Sequence, residues 1–413
     1  MRLPVSVAAH ILFGSLVFAQ SPQAPQAPAA PLTGPLTLDA AFERALNANP
    51  TIAAARYRHA IDLANVSVAG QRPNPEAHVE IEKETPKQSF GLAVPLELGG
   101  KRSRRIAVAQ ATLEVGQAEL ARTIVEIRTQ VRRAYFTRLV AEARLTLLDD
   151  LRLLASRARD AAQARFDVGS APQLELLQAQ LALAQAENEA TAAQATAIAT
   201  KIALNALLGL LPEASVTLAT GLDYAAALAP ALALDRAQKA NTELAVLERQ
   251  IAEQQARIAL ARALRRPDIT PDFTLTRDSE PEFMYGWRAA AAATIPIFTR
   301  YRPQLLVEQA TLAQLNAQRY ALQARIAGEV TAASTIAEGQ RLAYLRYRDE
   351  ILPLAVQVEG MAEDSYRLGQ TGITALLQSL QATRDMRLRS LQTAQDFQDA
   401  LSDLERVIGA PIP

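Results

Sequence analysis

Between Arg102 and Val168 the chain contains no proline and only one glycine, Gly116. Across this run Ile106, Leu113, Leu120, Ile127, Ala134, Ala141, Leu148, Ala155 and Ala162 recur every seven residues. A sustained heptad seam belongs to a helix that supercoils against neighbours, and alanines in the seam let those neighbours come close. At 1.5 Å per residue the helix predicted over 102–168 is a rod of roughly 100 Å. No ordinary domain core needs one so long, so other elements must run beside it.

Those elements come in two sets. "ARFDVGSAPQLELLQA" and "SYRLGQTGITALLQS" align on their glycines, so that Phe166 meets Tyr366, Gly169 meets Gly369, Leu176 meets Leu376 and Gln178 meets Gln378, each offset by 200. "LLG" at 207–209 and "VIG" at 407–409 keep the same offset, while "ALNANP" ending at Pro50 and "AQKANT" ending at Thr242 are 192 apart. Two copies of one unit follow, over 37–210 and 231–409, with a linker at 211–230 and a tail at 410–413. Each copy is predicted to hold one half-length helix (37–70 and 231–264), a β-hairpin (76–98 and 269–298), a long helix (102–168 and 303–368) and a return helix (173–208 and 373–408). The shorter helices are each roughly 50 Å, so two stacked end to end match one rod. Gly169, Ser170 and Pro172 end the first rod and start its return helix. Pro353 falls inside the second rod, where the first has Leu153, and predicts a kink there.

The hairpins have a different texture. In "AHVEIEKE" Ala77, Val79 and Ile81 alternate with His78, Glu80 and Glu82, and "SFGLAVPLEL" puts Phe90, Leu92, Val94, Leu96 and Leu98 on one face. In the second copy Phe273 and Leu275 face with Phe283, Tyr285, Trp287, Ile295 and Ile297, with "SEPE" as the turn. Tyr285 and Trp287 suit an interfacial aromatic girdle. A soluble hairpin with one buried face has the same alternation, but no other domain is present to cover it. Four strands cannot close a barrel, so the chain is expected to oligomerise: two copies give eight strands with a filled interior, three give twelve with a lumen. His78, Glu80, Glu82 and Glu97 are the candidates to face that lumen.

The N-terminus fits this setting. Arg2, an apolar run and small residues before Gln20 read as an export signal over 1–19, followed by a Pro/Ala/Gln-rich leader over 20–36. There is no cysteine, hence no disulfide and no thiol for lipid attachment. Lysine plus arginine and aspartate plus glutamate both total 43, so no net charge draws the chain to nucleic acid. Three histidines without ligand spacing, and no cysteine, leave no dedicated soft-metal site, no cofactor and no catalytic constellation. His78 between Glu80 and its neighbours reads as polar wall; contact with a passing cation is the sharper alternative. "GGKRSRR" lacks the spacing of a phosphate-binding loop, and Lys101, Arg102, Arg104 and Arg105 suit lipid phosphates or a neighbouring protomer.

Heptad rods, paired hairpins and duplication together resemble the TolC family of outer-membrane efflux proteins. "LTLDAAFERALNANP", "RPNPEAHVEIE", "LAVPLELGGKRSRRIAVAQA", "RFDVGSAPQLELLQAQ" and "YRLGQTGITALLQS" carry the resemblance, and Pro-Leu-Glu-Leu before Gly-Gly-Lys-Arg is most similar to the CzcC-like branch, associated with heavy-metal efflux. The resemblance implies a mainly α fold with a small β part: a homotrimer with a twelve-stranded barrel in outer-membrane lipid, continued by a helical tunnel in the periplasm. It also implies that the hairpin tips, Phe166, Asp167, Gly169, Ser170 and Pro172 with Tyr366, Arg367, Gly369, Gln370 and Gly372, face a periplasmic adaptor working with an inner-membrane pump. The family places acidic residues just beyond the second tip, where this chain has Ala375 and Gln378; Asp167 and Glu175 near the first tip are either a source of negative charge or solvated helix-end residues. With no nucleotide motif, transport is expected to be passive conduction rather than enzymatic turnover, with Pro353 as the hinge of opening. The competing reading is a periplasmic coiled-coil scaffold or adaptor without a channel.

Overall fold

The computed structural model describes residues 34–222, 230–279 and 283–412. The export signal at 1–19, the leader up to residue 33, linker residues 223–229 and the turn residues 280–282 lie outside the described residues, as does the side chain of Phe283. The elements run in the order α1 (Leu38–Ala48), α2 (Pro50–Ala69), β1 (Glu76–Ile81), β2 (Gln88–Ala93), α3 (Lys101–Asp167), α4 (Gln173–Leu207), α5 (Pro230–Ala240), α6 (Thr242–Ala263), β3 (Asp268–Ser279), β4 (Phe283–Thr294), α7 (Arg302–Arg346), α8 (Leu352–Arg367) and α9 (Ile373–Ile408). Helix α3 is continuous over 67 residues. It packs against α1, α2 and α4 of its own repeat and against α6 and α9 of the other. Ile127, Ala141, Leu148, Ala155 and Ala162 of the heptad seam are buried, and the rest of the seam is half-buried.

The half-length helices expected over 37–70 and 231–264 are each two helices, and the reason is an asparagine. Asn49 is extended; its Oδ1 accepts from the amides of Thr51 and Ile52 at 2.9 and 3.3 Å, and Pro50 occupies the first turn of α2, where its missing N–H costs nothing. Asn241 does the same for α6, accepting from the Leu244 amide at 2.9 Å. Each side-chain amide then reaches the end of the return helix: Asn49 Nδ2 donates to the Leu207 carbonyl at 2.9 Å, and Asn241 Nδ2 to the Val407 carbonyl at 2.7 Å. The same joints need glycine. Gly209 and Gly409 have φ of +62° and +80°, and a Cβ on them would lie 2.5 and 2.2 Å from the carbonyl oxygens of Ala48 and Ala240. The two sequence echoes with different offsets therefore touch each other, once per repeat.

Around these joints lie the two largest apolar clusters. One gathers Leu36, Val131, Tyr135, Phe136, Leu204 and Leu208; the other gathers Leu244, Tyr344, Phe397, Leu401, Leu404 and Ile408. Between the repeats Arg132 of α3, 2% exposed, donates to Glu405 of α9 at 2.9 Å and to Gln398 at 3.2 Å.

The long helix expected over 303–368 is interrupted. Tyr347–Ile351 form a π-helical turn between α7 and α8, and the Leu352 amide donates to the Tyr347 carbonyl five residues back. Pro353 explains it: the ring has no N–H for the Asp349 carbonyl and crowds it, and a wider turn ahead of the proline relieves both. The strands form one antiparallel sheet in the order β1-β2-β3-β4, so the hairpins of both repeats join at the β2–β3 seam. Strand β2 stops at Ala93, short of the expected residue 98: the Val94 amide still donates to the Pro271 carbonyl at 2.9 Å, but Pro271 has no N–H to return the bond, and a bridge from Leu96 to Ile269 follows. Asn241→Ala, which removes both a cap and a cross-element bond at a buried joint, is expected to cost about 1–3 kcal/mol. A lower thermal midpoint of the helical circular dichroism would record it.

Candidate functional site

Residues directly opposite one another in a sheet share a face. One row runs Val79, Phe90, Leu275, Trp287, and the row beside it runs Ala77, Leu92, Phe273, Ala289. Val79, Phe90, Leu275 and Trp287 are 61, 51, 54 and 71% exposed, and Phe273 stacks on Trp287 with ring centroids 6.3 Å apart. The opposite face carries the rows His78, Gly91, Thr274, Arg288 and Glu80, Ser89, Thr276, Gly286. So large an apolar patch is not left to water. A sheet that is apolar on one face and polar on the other is what a barrel wall requires, lipid outside and lumen inside.

The polar face is internally ordered. Ser89 Oγ donates to Glu80 Oε2 at 3.1 Å, and Thr274 Oγ1 donates to Asp272 Oδ1 at 2.8 Å. His78 is half-buried on this face, while Glu82 lies just past β1, where its amide donates to the Lys87 carbonyl at 3.0 Å. Glu97 lies beyond the end of β2, and its carboxylate is held by Arg105. Three of the four cations expected at lipid or at a neighbour are engaged within the strand-to-helix joint instead. Lys101 pairs with Asp268 at 2.6 Å, Arg102 donates to the Gly70 carbonyl at 2.6 Å, and Arg105 reaches Glu97 and the Gln71 carbonyl. The carbonyls left at the end of α2 and the acids flanking the strands account for that recruitment; Arg104 stays exposed.

At the far end of the rods the two tips are built alike. The Gly169 amide donates to the Phe166 carbonyl at 2.8 Å and Ser170 to Arg165 at 2.9 Å; the Gly369 amide donates to Tyr366 at 3.0 Å and Gln370 to Ser365 at 2.9 Å. This pair of bonds closes a helix on a left-handed residue, and Gly169 and Gly369 have φ of +75° and +70°. Pro172 and Gly372 then stand extended as the residues before α4 and α9. Phe166, Asp167, Arg367 and Gln370 are exposed, but Tyr366 turns inward against Ala158, Ile373 and Leu376.

Glu175 is neither a free charge nor a solvated helix end. Its Oε1 accepts from the Tyr366 hydroxyl at 3.0 Å and lies 3.3 Å from Arg165 Nη1, and the Arg165 guanidinium sits over the Tyr366 ring. One buried carboxylate thus ties the first tip to the second. Burial pushes the Tyr366 phenol above its ordinary value, and the Glu175 carboxylate adds to the rise. The phenol stays a donor at neutral pH, and its contribution fades only as pH climbs past the free value of about 10. Among the described residues no group of three potential metal ligands converges, and no helix is long and apolar enough to cross a membrane.

Long paired rods with one two-faced sheet at one end and matched turns at the other make a TolC-like fold. Residues 41–210 match the family model described as outer membrane efflux protein. Over its length the chain is 28% identical to the cobalt-zinc-cadmium resistance protein CzcC of Cupriavidus metallidurans, covering 98% of this chain and 99% of the relative. The structure is similar to that of CusC, with a TM-score of 0.75 at 15% identity over 95% of this chain and 99% of that one. It is also similar to the open MtrE outer membrane channel of Neisseria gonorrhoeae, with a TM-score of 0.74 at 18% identity over 91% and 89% of the two chains. The chain is thus similar in sequence to outer-membrane efflux proteins over residues 41–210 and to CzcC over its length, and it shares the TolC-like fold.

An arginine on the apolar face near the bilayer midplane costs about 2–4 kcal/mol, whereas the lumenal face tolerates it. Leu275→Arg is therefore expected to leave little protein in the outer-membrane fraction and Thr276→Arg to leave the wild-type amount, as read by fractionation and immunoblotting.

Proposed function

We propose that the chain is the outer-membrane duct of a tripartite export system, a homotrimer that passively conducts small substrates delivered by an inner-membrane pump through a periplasmic adaptor. The two-faced sheet with unpaired edges at β1 and β4 carries the reading. Three copies pairing β1 with the next β4 make twelve strands and leave a lumen lined by the polar rows, whereas two copies leave it filled with side chains. Each repeat, 37–210 and 231–409, supplies two strands and one tip. The tips are where the adaptor docks, with Tyr366, Glu175 and Arg165 holding the hairpins together until it engages. The similarity to a cobalt-zinc-cadmium resistance protein supports divalent metal cations as the substrate class. The π-turn before Pro353 supports a hinge at that level of the second rod.

Protein extracted from outer membranes in mild detergent is expected to be an elongated three-fold particle by light scattering and single-particle imaging, and to conduct in planar bilayers. A soluble, two-stranded rod would leave the periplasmic scaffold as the better reading. Pro353→Leu, which lets the helix run on without the wider turn, is expected to change conductance or efflux, and unchanged behaviour would remove the hinge. Tyr366→Phe deletes the bond between tips and is expected to raise single-channel conductance several-fold, as one hydrogen bond to a charged group holds about 1.5–3 kcal/mol.

A further inference from the structure

The His78 ring reaches across a strand. It rises from β1, and the residue opposite on β2 is Gly91, where an added Cβ would fall 2.0 Å from His78 Nε2. The ring therefore occupies the place of the missing side chain and brings Nε2 to 3.6 Å from Asp272 Oδ2 on β3. That gap is just beyond hydrogen-bond reach. It is close to the separation, roughly 3.3–3.5 Å, of two donors on one tetrahedral ion with metal–nitrogen and metal–oxygen bonds of about 2.0–2.2 Å. The carboxylate is aimed as well as near: Thr274 Oγ1 holds Asp272 Oδ1 at 2.8 Å and leaves Oδ2 toward the imidazole. Metal-ligating carboxylates are held in this way by a supporting hydrogen bond. Glu76 and Glu80, two residues to either side of His78 on the same face, add negative potential without competing for the ring.

We infer that His78 and Asp272 form a divalent-cation site on the polar face of the sheet, suited to borderline ions such as zinc or cobalt that take imidazole and carboxylate together. Two protein ligands leave the remaining coordination to water, so the ion is held loosely and exchanges. A conduit needs that property, because a cation must bind well enough to enter and weakly enough to leave. The inference rests on the duct reading, which makes this face the lumenal wall, and it goes further by naming the side chains that touch the substrate.

The test is a calorimetric zinc titration of the detergent-solubilised full chain, carrying no polyhistidine tag, beside its potassium conductance in planar bilayers. Saturable zinc uptake by the unsubstituted protein is expected. His78→Gln, Asp272→Asn and Gly91→Ala should each weaken it roughly tenfold or more, with the circular dichroism spectrum kept, while His59→Gln leaves it unaltered. Zinc affinity in His78→Gln and Asp272→Asn equal to that of the unsubstituted protein, or no saturable uptake by the unsubstituted protein, overturns the site, and conductance by the unsubstituted protein in that case leaves the duct standing. Uptake that follows His78 and Asp272 in a protein without conductance upholds the site and overturns the duct.

Discussion

Two asparagines hold the architecture in register. A rod as long as α3 can be matched only by shorter helices placed end to end, and every such joint leaves orphan amides on one helix and orphan carbonyls on the other. Asn49 and Asn241 answer both at once, the side-chain oxygen taking amides of the starting helix and the nitrogen giving to the ending one. Gly209 and Gly409 make the approach close enough for that reach. Because the joint fixes the height at which the helices meet, it also fixes how far each hairpin of strands projects at one end and each tip at the other.

Much of this was readable from the chain because the features are local. The heptad seam of α3 needed only periodicity, and the tips needed only a glycine between two helical patterns and a repeat to confirm it. The alternation of Val79 with His78 and Glu80 was likewise legible. Other features were not, for identifiable reasons. The break at Asn49 lies between two helical patterns of the same phase, and the Pro50 beside it was the available signal. The π-turn spread over Tyr347–Ile351 is a backbone response to Pro353, whose kinking tendency was plain but whose resolution was not. Strand β2 alternates well past Ala93, yet Pro271 on the partner strand, 177 residues from Val94, has no N–H to return its bond and interrupts the ladder.

The site residues divide along the same line. Glu175 looked ambiguous because its partner Tyr366 is 191 residues away and no local pattern links them. Lys101, Arg102 and Arg105 looked like a surface patch because the carbonyls of Gly70 and Gln71 and the carboxylate of Asp268 come from elements that only the fold brings near. His78 appeared to stand alone because its counterpart sits two strands away, beyond a glycine. A carboxylate or imidazole in a sheet can belong to a residue that neither precedes nor directly faces it, provided the intervening strand leaves room.

The π-turn makes the duplicated posts structurally unequal. One is a single unbroken rod, while its counterpart carries a joint part-way along, at Tyr347–Ile351. In the proposed trimer six such posts would alternate unbroken and interrupted. A partner that presses evenly on all six tips would meet two spring constants, so the mouth would deform as a triangle rather than dilate as a circle. In that trimer duplication would supply sixfold contact geometry, and one proline would reduce its compliance to threefold.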